Sequence, residues 1–169
     1  LETFRWIVFN TMVGTSDSHL KNISFIVGHE GISVAPFYDL LCTAVYHTRV
    51  FLDEGAVWPN EKLASPVAGA NFFSDVTFDK LIDTGLELGL SKSAAVREVV
   101  KIVGRLAGAA DEIIAQLESI LADAGAPQGA PSPMTKAAER RMLRSIRSIV
   151  IADMLRYVRL PVAAAKEPQ

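Results

Sequence analysis

The sequence predicts one mainly α-helical domain with a small β-hairpin near its N-terminus. Three observations lead to this fold class. Half of the 169 residues are apolar and about a fifth are charged, a composition typical of a globular domain. Through most of residues 77–160, apolar residues recur at helical spacing. In residues 22–35, β-branched and aromatic residues surround a pair of glycines, which is typical of a hairpin.

The first predicted element is a helix over residues 1–13. Leu1, Phe4 and Val8 lie at helical spacing, and Gly14 ends the pattern. Because the pattern is already helical at the first residue and no methionine opens the chain, we expect this sequence to be a piece of a larger protein.

A hairpin follows this helix. Its strands are NISFIV (22–27) and ISVA (32–35), and the two glycines of GHEG (28–31) bracket the turn. Pro36 ends the second strand, because proline has no backbone N–H to donate to a sheet.

The next forty residues give weaker signals. The apolar segment DLLCTAVY (39–46) fits either a short helix or a buried loop, and RVFLDEG (49–55) is predicted to be a short extended piece. Residues 55–76 contain Pro59, Pro66 and scattered glycines, so we interpret them as irregular.

Helices return at Thr77. Three apolar runs at helical spacing cover residues 78–86, 96–106 and 110–121. Gly89 marks the end of the first run, and SKS (91–93) offers a hydroxyl to cap the next helix. A helical bundle over residues 77–160 is therefore the larger part of the predicted domain.

The C-terminal quarter is predicted to be a linker, a long helix and a tail. GAPQGAPSP (125–133) is too rich in proline and glycine to pack. The last helix covers about Met134 to Leu160, and Pro161 ends it. Residues 161–169 are predicted to be a frayed tail, so the domain covers residues 1–160.

The net charge of −2 is unevenly distributed. Residues 136–159 carry seven basic and two acidic residues, so the rest of the chain is acidic. Arg140, Arg144 and Arg147 share one helical face. Such a face can meet nucleic acid, a phosphorylated segment or an acidic partner. It can equally be solvated and pair with the acidic remainder of the same domain.

The number of cysteines and the length of the apolar runs indicate the cellular compartment of the protein. Cys42 is the one cysteine, so no internal disulfide can form, and the chain fits a reducing compartment. We therefore expect a cytoplasmic protein. No apolar run reaches the roughly 20 residues that a membrane span requires, so no membrane association is predicted.

The stretch GTSDSHLKN (14–22) concentrates reactive side chains between two apolar runs. Phosphoryl transfer needs a carboxylate to accept the proton of the attacking hydroxyl, and oxygen ligands to hold Mg²⁺ against the phosphates. Asp17 and Asn22 have the spacing of the base and the metal-binding asparagine in a kinase catalytic loop. The hairpin brings Asp39 back toward Asn22. We therefore predict that the three side chains converge, with Asp39 buried among apolar neighbours.

Other roles fit the same residues. Asp17 could be a loop or capping residue, and Asp39 could cap the segment after it. His19 is more often a structural hydrogen-bonding residue than a catalyst, and Lys21 is more often solvated than bound to phosphate. A third arrangement, a metal-dependent hydrolase using Asp17, His19 and Asp39, has weaker support because the other histidines have no motif spacing to His19.

The residue identities in GTSDSHLKNISFIV (14–27) and GISVAPFYDLL (31–41) are more specific than the spacing of Asp17 and Asn22. They resemble the HipA family of serine/threonine kinases, the toxins of bacterial toxin–antitoxin pairs. That family has a small-residue turn, D-x-H-x-K-N-x-S, a hairpin and then P-x-Y-D. The matching residues here are Gly14, Asp17, His19, Lys21, Asn22, Ser24, Pro36, Tyr38 and Asp39. The resemblance covers residues 1 to about 108, and the fold it implies is the large helical lobe of a protein-kinase-like fold.

The resemblance implies roles for the residues of 14–41. Asp17 would be the general base toward a serine or threonine hydroxyl, and Asn22 and Asp39 would bind Mg²⁺. The residues lying against ATP would be His19, Leu20, Lys21, Asn22, Tyr38 and Asp39. The whole protein would phosphorylate a protein serving translation, such as an aminoacyl-tRNA synthetase. A small helix-turn-helix antitoxin of the HipB type would restrain it and bind operator DNA, so contact with DNA would be indirect.

The sequence also departs from a complete kinase. It has no glycine-rich phosphate loop, because GLELG (85–89) and GRLAG (104–108) lie in predicted helices. No strand lysine precedes Asp17. We therefore expect this chain alone to be inactive. The alternative is a helical interaction domain, or a degenerate kinase remnant, whose acidic residues are structural.

Overall fold

The computed structural model describes residues 1–122 and 132–161 of the chain. It is mainly helical and carries two small antiparallel hairpins, so the predicted fold class is confirmed. The helices are α1 Glu2–Met12, α2 Phe78–Glu87, α3 Lys92–Ala122, α4 Pro133–Ser145 and α5 Ala152–Tyr157. The strands are β1 Phe25–Gly28, β2 Gly31–Val34, β3 Lys62–Val67 and β4 Ala70–Phe72.

The predicted first helix and first hairpin are both present. α1 ends at Met12, and Gly14 follows in the left-handed region with φ 72°. β1 and β2 pair in the register Phe25 with Val34, so His29 and Glu30 form the turn. Both strands are exposed over most of their length. This hairpin therefore projects from the domain rather than contributing to its core.

Two predictions for the middle of the chain are wrong. RVFLDEG (49–55) is not extended, because the backbone N–H groups of Phe51 and Leu52 turn back to the carbonyl of Thr48. Residues 55–76 are not irregular throughout, because β3 and β4 form a second hairpin. Of the segment DLLCTAVY (39–46), residues 39–42 form a loop and the remainder belongs to a 3₁₀ turn over Thr43–His47, so both alternatives are found in part.

The second hairpin was missed because its turn lacks the usual residues. Ala68 and Gly69 both have positive φ, 39° and 78°. Such a turn normally uses asparagine, aspartate or glycine at both positions, since other residues are strained there. Pro66, inside β3, also argued against a strand.

α2 begins and ends where the sequence predicts. The Thr77 hydroxyl accepts a hydrogen bond from the backbone N–H of Lys80 at 3.3 Å and caps the first turn. Gly89 follows the helix with φ 80°. Ser91 caps the next helix in the same way, accepting from the N–H of Ala94 at 3.3 Å.

The two apolar runs after Gly89 belong to one helix, α3, which has 31 residues. Gly104 and Gly108 lie inside it and do not end it, because an interior glycine weakens a helix by only about 1 kcal/mol. The predicted stop at Gly125 and most of the predicted linker lie outside the described residues, as does the tail after Pro161.

The last helix runs from Pro133 to Tyr157 without leaving the helical region. Ser132 caps it, accepting from the N–H of Thr135 at 3.1 Å. Its hydrogen bonding widens to a π-helical pattern over Ile146–Ile151. Wide turns of this kind are frequent at functional sites. Here the turn brings Val150 against Ala44, next to the predicted catalytic loop.

The core lies between α1, α2, α3, the second hairpin and the last helix. Its largest fully buried side chains include Phe4, Phe73, Met12, Leu81, Met154, Val8 and Val99. Burial of each large apolar side chain contributes about 1.5–3 kcal/mol. The candidate site described below lies at the edge of this core, on the loops that carry Asp17 and Asp39.

The basic face of the last helix pairs with α3. Arg147 donates to Asp111 at 2.9 Å, and Arg144 forms an ion pair with Glu118. These contacts favour the interpretation that the arginines pair with acids of the same domain. Among the helices of residues 1–122 and 132–161, none has the length and apolar character that a bilayer crossing needs.

Candidate active site

Gly14 connects α1 to the loop that carries Asp17. A Cβ atom at this position would lie 2.6 Å from Val150 Cγ1 and 2.8 Å from Ala44 Cβ. The positive φ of 72° is a second reason for glycine, since it strains other residues. The loop of Asp17 is therefore seated directly on the last helix and on the 3₁₀ turn after Asp39.

Asp17 lies at the surface, with 73% of its side chain exposed. The imidazole Nε2 of His19 lies 3.6 Å from Asp17 Oδ1. The Asp17 carboxylate is otherwise open to solvent. The position suits a group that must reach the hydroxyl of another molecule.

The side chain of Asn22 contacts both Asp17 and Asp39, the two acidic residues of the predicted site. It is only 7% exposed, and its Nδ2 donates to the backbone carbonyl of Asp17 at 3.2 Å. The same Nδ2 is 3.5 Å from Asp39 Oδ2. The side chain of Asn22 thus touches the Asp17 loop and the Asp39 carboxylate at once, so the predicted approach of residue 39 to residue 22 is present.

Asp39 is exposed, so the prediction that it is buried among apolar neighbours is wrong. Its neighbours Tyr38, Leu40 and Leu41 are exposed as well, because the loop lies at the edge of the domain. Asp39 has φ 58°, which costs about 1–2 kcal/mol for a residue with a Cβ atom. Such strain persists only where the surroundings hold it.

Tyr38 holds one side of this strained residue. Its hydroxyl donates to the carbonyl of Lys21 at 2.9 Å and lies 3.2 Å from the hydroxyl of Ser24. The phenol therefore ties the Asp39 loop to the segment of Asn22. Tyr38 is predicted to lie against ATP, and its ring is about half exposed while its hydroxyl is engaged.

The other residues predicted to contact nucleotide lie on the same surface. Leu20 is 71% exposed and Lys21 is exposed, and both belong to a single 3₁₀ turn over Leu20–Asn22. The Nδ1 atom of His19 is buried and has no hydrogen-bond partner among the described residues. Their predicted contacts with a nucleotide remain predictions.

The residues present fit a magnesium ion. Mg²⁺ prefers oxygen ligands and usually takes one or two carboxylates and several waters or phosphates. Asp39 offers an exposed carboxylate. Asn22 would supply its amide oxygen as a second ligand, while its Nδ2 contacts the Asp17 carbonyl and Asp39 Oδ2. In the described part of the chain, no three His, Cys, Asp or Glu side chains group together as a metal site.

Thr43 is a site residue that the sequence reasoning missed. Its Oγ1 accepts from the backbone N–H of Ser16 at 2.7 Å and lies 2.7 Å from Ser16 Oγ. It also approaches the carbonyl of Gly14 at 3.4 Å. The one available signal is a hydroxyl in an apolar segment four residues after Asp39, which is too common a feature to select a residue.

An apolar cavity of about 380 Å³ lies beside the Asp39 loop. Phe37 and Leu40, on either side of Asp39, form part of its wall together with Trp6 of α1. Nearby, burial raises the pKa of the Cys42 thiol to about 11. Cys42 is therefore a neutral thiol near pH 7 and not a nucleophile of this site.

Comparison with known proteins places these features in a family. The model of the HipA-like C-terminal domain matches residues 1–114, which include α1, both hairpins, the candidate site and most of α3. The chain belongs to this HipA-like C-terminal domain family. The resemblance seen in the sequence is therefore confirmed.

Two curated proteins match shorter stretches. The protein Y4mE of Sinorhizobium fredii, whose name assigns it provisionally to the kinases, is 46% identical over 39 residues, 23% of this chain and 9% of Y4mE. The serine/threonine-protein kinase toxin HipA of Shewanella oneidensis is 36% identical over 45 residues, 27% of this chain and 10% of HipA. These alignments span only about a tenth of each relative.

A solved structure matches nearly the whole chain. A chain of the Shewanella oneidensis complex of HipA, HipB and operator DNA superimposes with a TM-score of 0.66 and 20% identity. The match covers 99% of this chain and 34% of that chain. At this identity the likeness shows the fold, and it shows that this fold occurs within a protein about three times as long.

Proposed function

We propose that this chain is the large lobe of a HipA-like serine/threonine protein kinase, which transfers a phosphoryl group from Mg-ATP to a protein hydroxyl. The observation that carries the proposal is the position of Asn22, whose amide contacts both the Asp17 carbonyl and the Asp39 carboxylate. The family membership and the kinase names of two relatives support it.

The roles follow from position. Asp17 is exposed on its loop and accepts the proton of the attacking hydroxyl. Asn22 and Asp39 hold Mg²⁺, which when bound neutralises charge on the phosphates. His19, Leu20, Lys21 and Tyr38 contact the nucleotide.

The surroundings of the reaction are also proposed. The solved complex with the matching fold contains HipA, HipB and operator DNA. We propose that this chain likewise belongs to the toxin of a toxin–antitoxin pair and works with a helix-turn-helix antitoxin of the HipB type. That antitoxin carries the contact with operator DNA. The substrate is a protein of translation, such as an aminoacyl-tRNA synthetase, and the reaction takes place in the cytoplasm.

Activity requires more than these 169 residues. The sequence contains no glycine-rich loop for the phosphates and no strand lysine ahead of Asp17. We therefore propose that this chain binds metal at Asn22 and Asp39 but does not catalyse transfer by itself. If Asn22 and Asp39 do not bind metal, the alternative function is that of a helical interaction domain whose acidic residues are structural.

Manganese broadening in NMR spectra tests the metal site. Sub-stoichiometric Mn²⁺, a paramagnetic substitute for Mg²⁺, is expected to broaden the amide signals of residues 17–22 and 38–40 first. Asp39→Asn removes the carboxylate charge, so the selective broadening is expected to disappear.

The matched control is Asp83→Asn, which changes an exposed aspartate on α2 and is expected to leave the broadening unchanged. Excess Mg²⁺ is expected to reverse it. Equal broadening in the wild type and in Asp39→Asn would remove the proposed metal site.

A further inference from the structure

Thr43 fastens the loop of Asp17 to the segment that follows Asp39. Its hydroxyl has one hydrogen to donate and two lone pairs to accept with. Thr43 Oγ1 accepts from the N–H of Ser16, shares a hydrogen bond with the hydroxyl of Ser16, and lies 3.4 Å from the Gly14 carbonyl, so it has a partner for each of these capacities. A backbone bond from the N–H of Ala44 to the same carbonyl, at 2.9 Å, runs beside it.

These contacts lie at a decisive place in the chain. Ser16 immediately precedes Asp17, and Thr43 follows Asp39 by four residues. The side chains of Asn22, Tyr38 and Thr43 join the two acidic loops: Asn22 Nδ2 contacts Asp39 Oδ2, the Tyr38 hydroxyl donates to the carbonyl of Lys21, and Thr43 Oγ1 accepts from the N–H of Ser16. Just before Asp39 the chain is tied to Lys21 by Tyr38, and four residues after Asp39 it is tied to Ser16 by Thr43.

We propose that Thr43 is a positioning residue for the phosphoryl-transfer site, which sets the distance between the Asp17 loop and the Asp39 loop. It touches no reacting atom. Its effect passes through Ser16 to Asp17 and along the backbone to Asp39, whose left-handed conformation needs support from both sides. The inference rests on the proposed function, because it assumes that Asn22 and Asp39 form one metal site.

The test compares Thr43→Val, which keeps the shape but removes the hydroxyl, with Thr43→Ser, which keeps the hydroxyl. Mg²⁺ is titrated while the amide shifts of Asn22 and Asp39 are followed. Loss of one net hydrogen bond corresponds to about fivefold in an equilibrium constant. We expect Thr43→Val to raise the apparent Kd for Mg²⁺ by about fivefold or more, and the Kd of Thr43→Ser to stay within about twofold of the wild-type value.

The control variant is Thr84→Val on α2. Thr84 is buried whereas Thr43 is half-buried, and the Thr84 hydroxyl donates to the carbonyl of Lys80 at 2.8 Å, remote in sequence from both loops. We expect this variant to lower thermal stability without changing the Kd for Mg²⁺. An equal loss of affinity in Thr84→Val and Thr43→Val would mean a general loss of stability and would overturn the positioning role.

Failure of the inference differs from failure of the proposed function. A wild-type chain that shows no saturable Mg²⁺ shift at Asn22 and Asp39 overturns the proposed metal site itself. A wild type that binds, with Thr43→Val binding equally well, overturns only the role of Thr43. If Thr43→Val does not fold, Ser16→Ala decides, because it removes one of the bonds to Thr43 Oγ1. Unchanged affinity in Ser16→Ala then overturns the inference.

Discussion

At the scale of single residues, close contacts explain why particular amino acids occupy particular positions of the candidate site. Gly14 is the clearest case. Its position between Val150 and Ala44 leaves no space for a Cβ atom, and its φ of 72° strains any other residue. The residue that allows the loop of Asp17 to leave α1 is thus determined by packing against Val150, far along the chain.

Gly14→Ala is expected to destabilise the protein by about 2–4 kcal/mol, because strain at positive φ adds to overpacking against Val150. Gly89→Ala is the control, since Gly89 has a similar φ of 80° but open space around its Cβ position. We expect it to cost only about 1 kcal/mol. Urea unfolding measures both, and equal losses would contradict the packing argument.

At the scale of secondary-structure elements, an ion pair between the half-buried Arg5 and the buried Glu98 joins α1 to α3. Arg5 Nε donates to Glu98 at 2.8 Å, and Glu98 is only 4% exposed. The hydrogen bond from Arg5 lowers the pKa of the Glu98 carboxyl below its usual 4.5, against the opposing effect of burial. The pair also forms part of the wall of the cavity beside Asp39.

The lowered pKa of Glu98 predicts a pH dependence of stability. A carboxyl whose folded pKa lies below its unfolded pKa stabilises the protein above the unfolded value, and this contribution is lost as the pH falls through the folded pKa. We expect Glu98→Gln to cost about 1–2 kcal/mol at pH 7, after allowance for the partial exposure of Arg5. The difference from the wild type should shrink toward pH 3.

Urea unfolding at pH 7, 5 and 3 measures this difference, with Glu112→Gln at an exposed position of α3 as control. The control is expected to stay within about 0.5 kcal/mol of the wild type. A cost for Glu98→Gln that stays constant from pH 7 to pH 3 would show that charge is not its cause.

At the scale of the whole molecule, the site occupies an exposed edge of a helical domain. The first hairpin exposes apolar side chains, with Phe25 62%, Val27 78% and Ile32 74% exposed. Leu20 and Leu41, on the loops of Asp17 and Asp39, are exposed as well. Exposed apolar side chains therefore occur both on the first hairpin and on the loops of the candidate site.

We therefore expect these 169 residues to show no ATP-dependent phosphorylation of themselves or of an added protein, because they lack a phosphate-binding loop and strand lysine. Incubation with γ-³²P-ATP and Mg²⁺ measures this. Incorporation that Asp17→Ala abolishes, and that Asp83→Asn leaves intact, would show that the chain is a complete kinase and would contradict the proposal.

The sequence by itself determined the elements whose signals are local. The start of α2 near Thr77, its end at Gly89, the hydroxyl cap of α3 within residues 91–93 and the turn at residues 29–30 depend on neighbouring residues only, and each was predicted. The motif also identified the family. Local chemistry sufficed because a cap, a turn or a short motif is complete within a few residues.

Only the tertiary structure decided the features that depend on distant contacts. The second hairpin forms despite a poor turn at Ala68, and Asp39 is exposed despite apolar neighbours, because packing and position at the domain edge override local composition. The contacts of Thr43 with Ser16 and of Val150 with Gly14 join residues about 30 and 140 positions apart. A single sequence holds no local signal for such pairs, since they exist only when the core has brought both partners together.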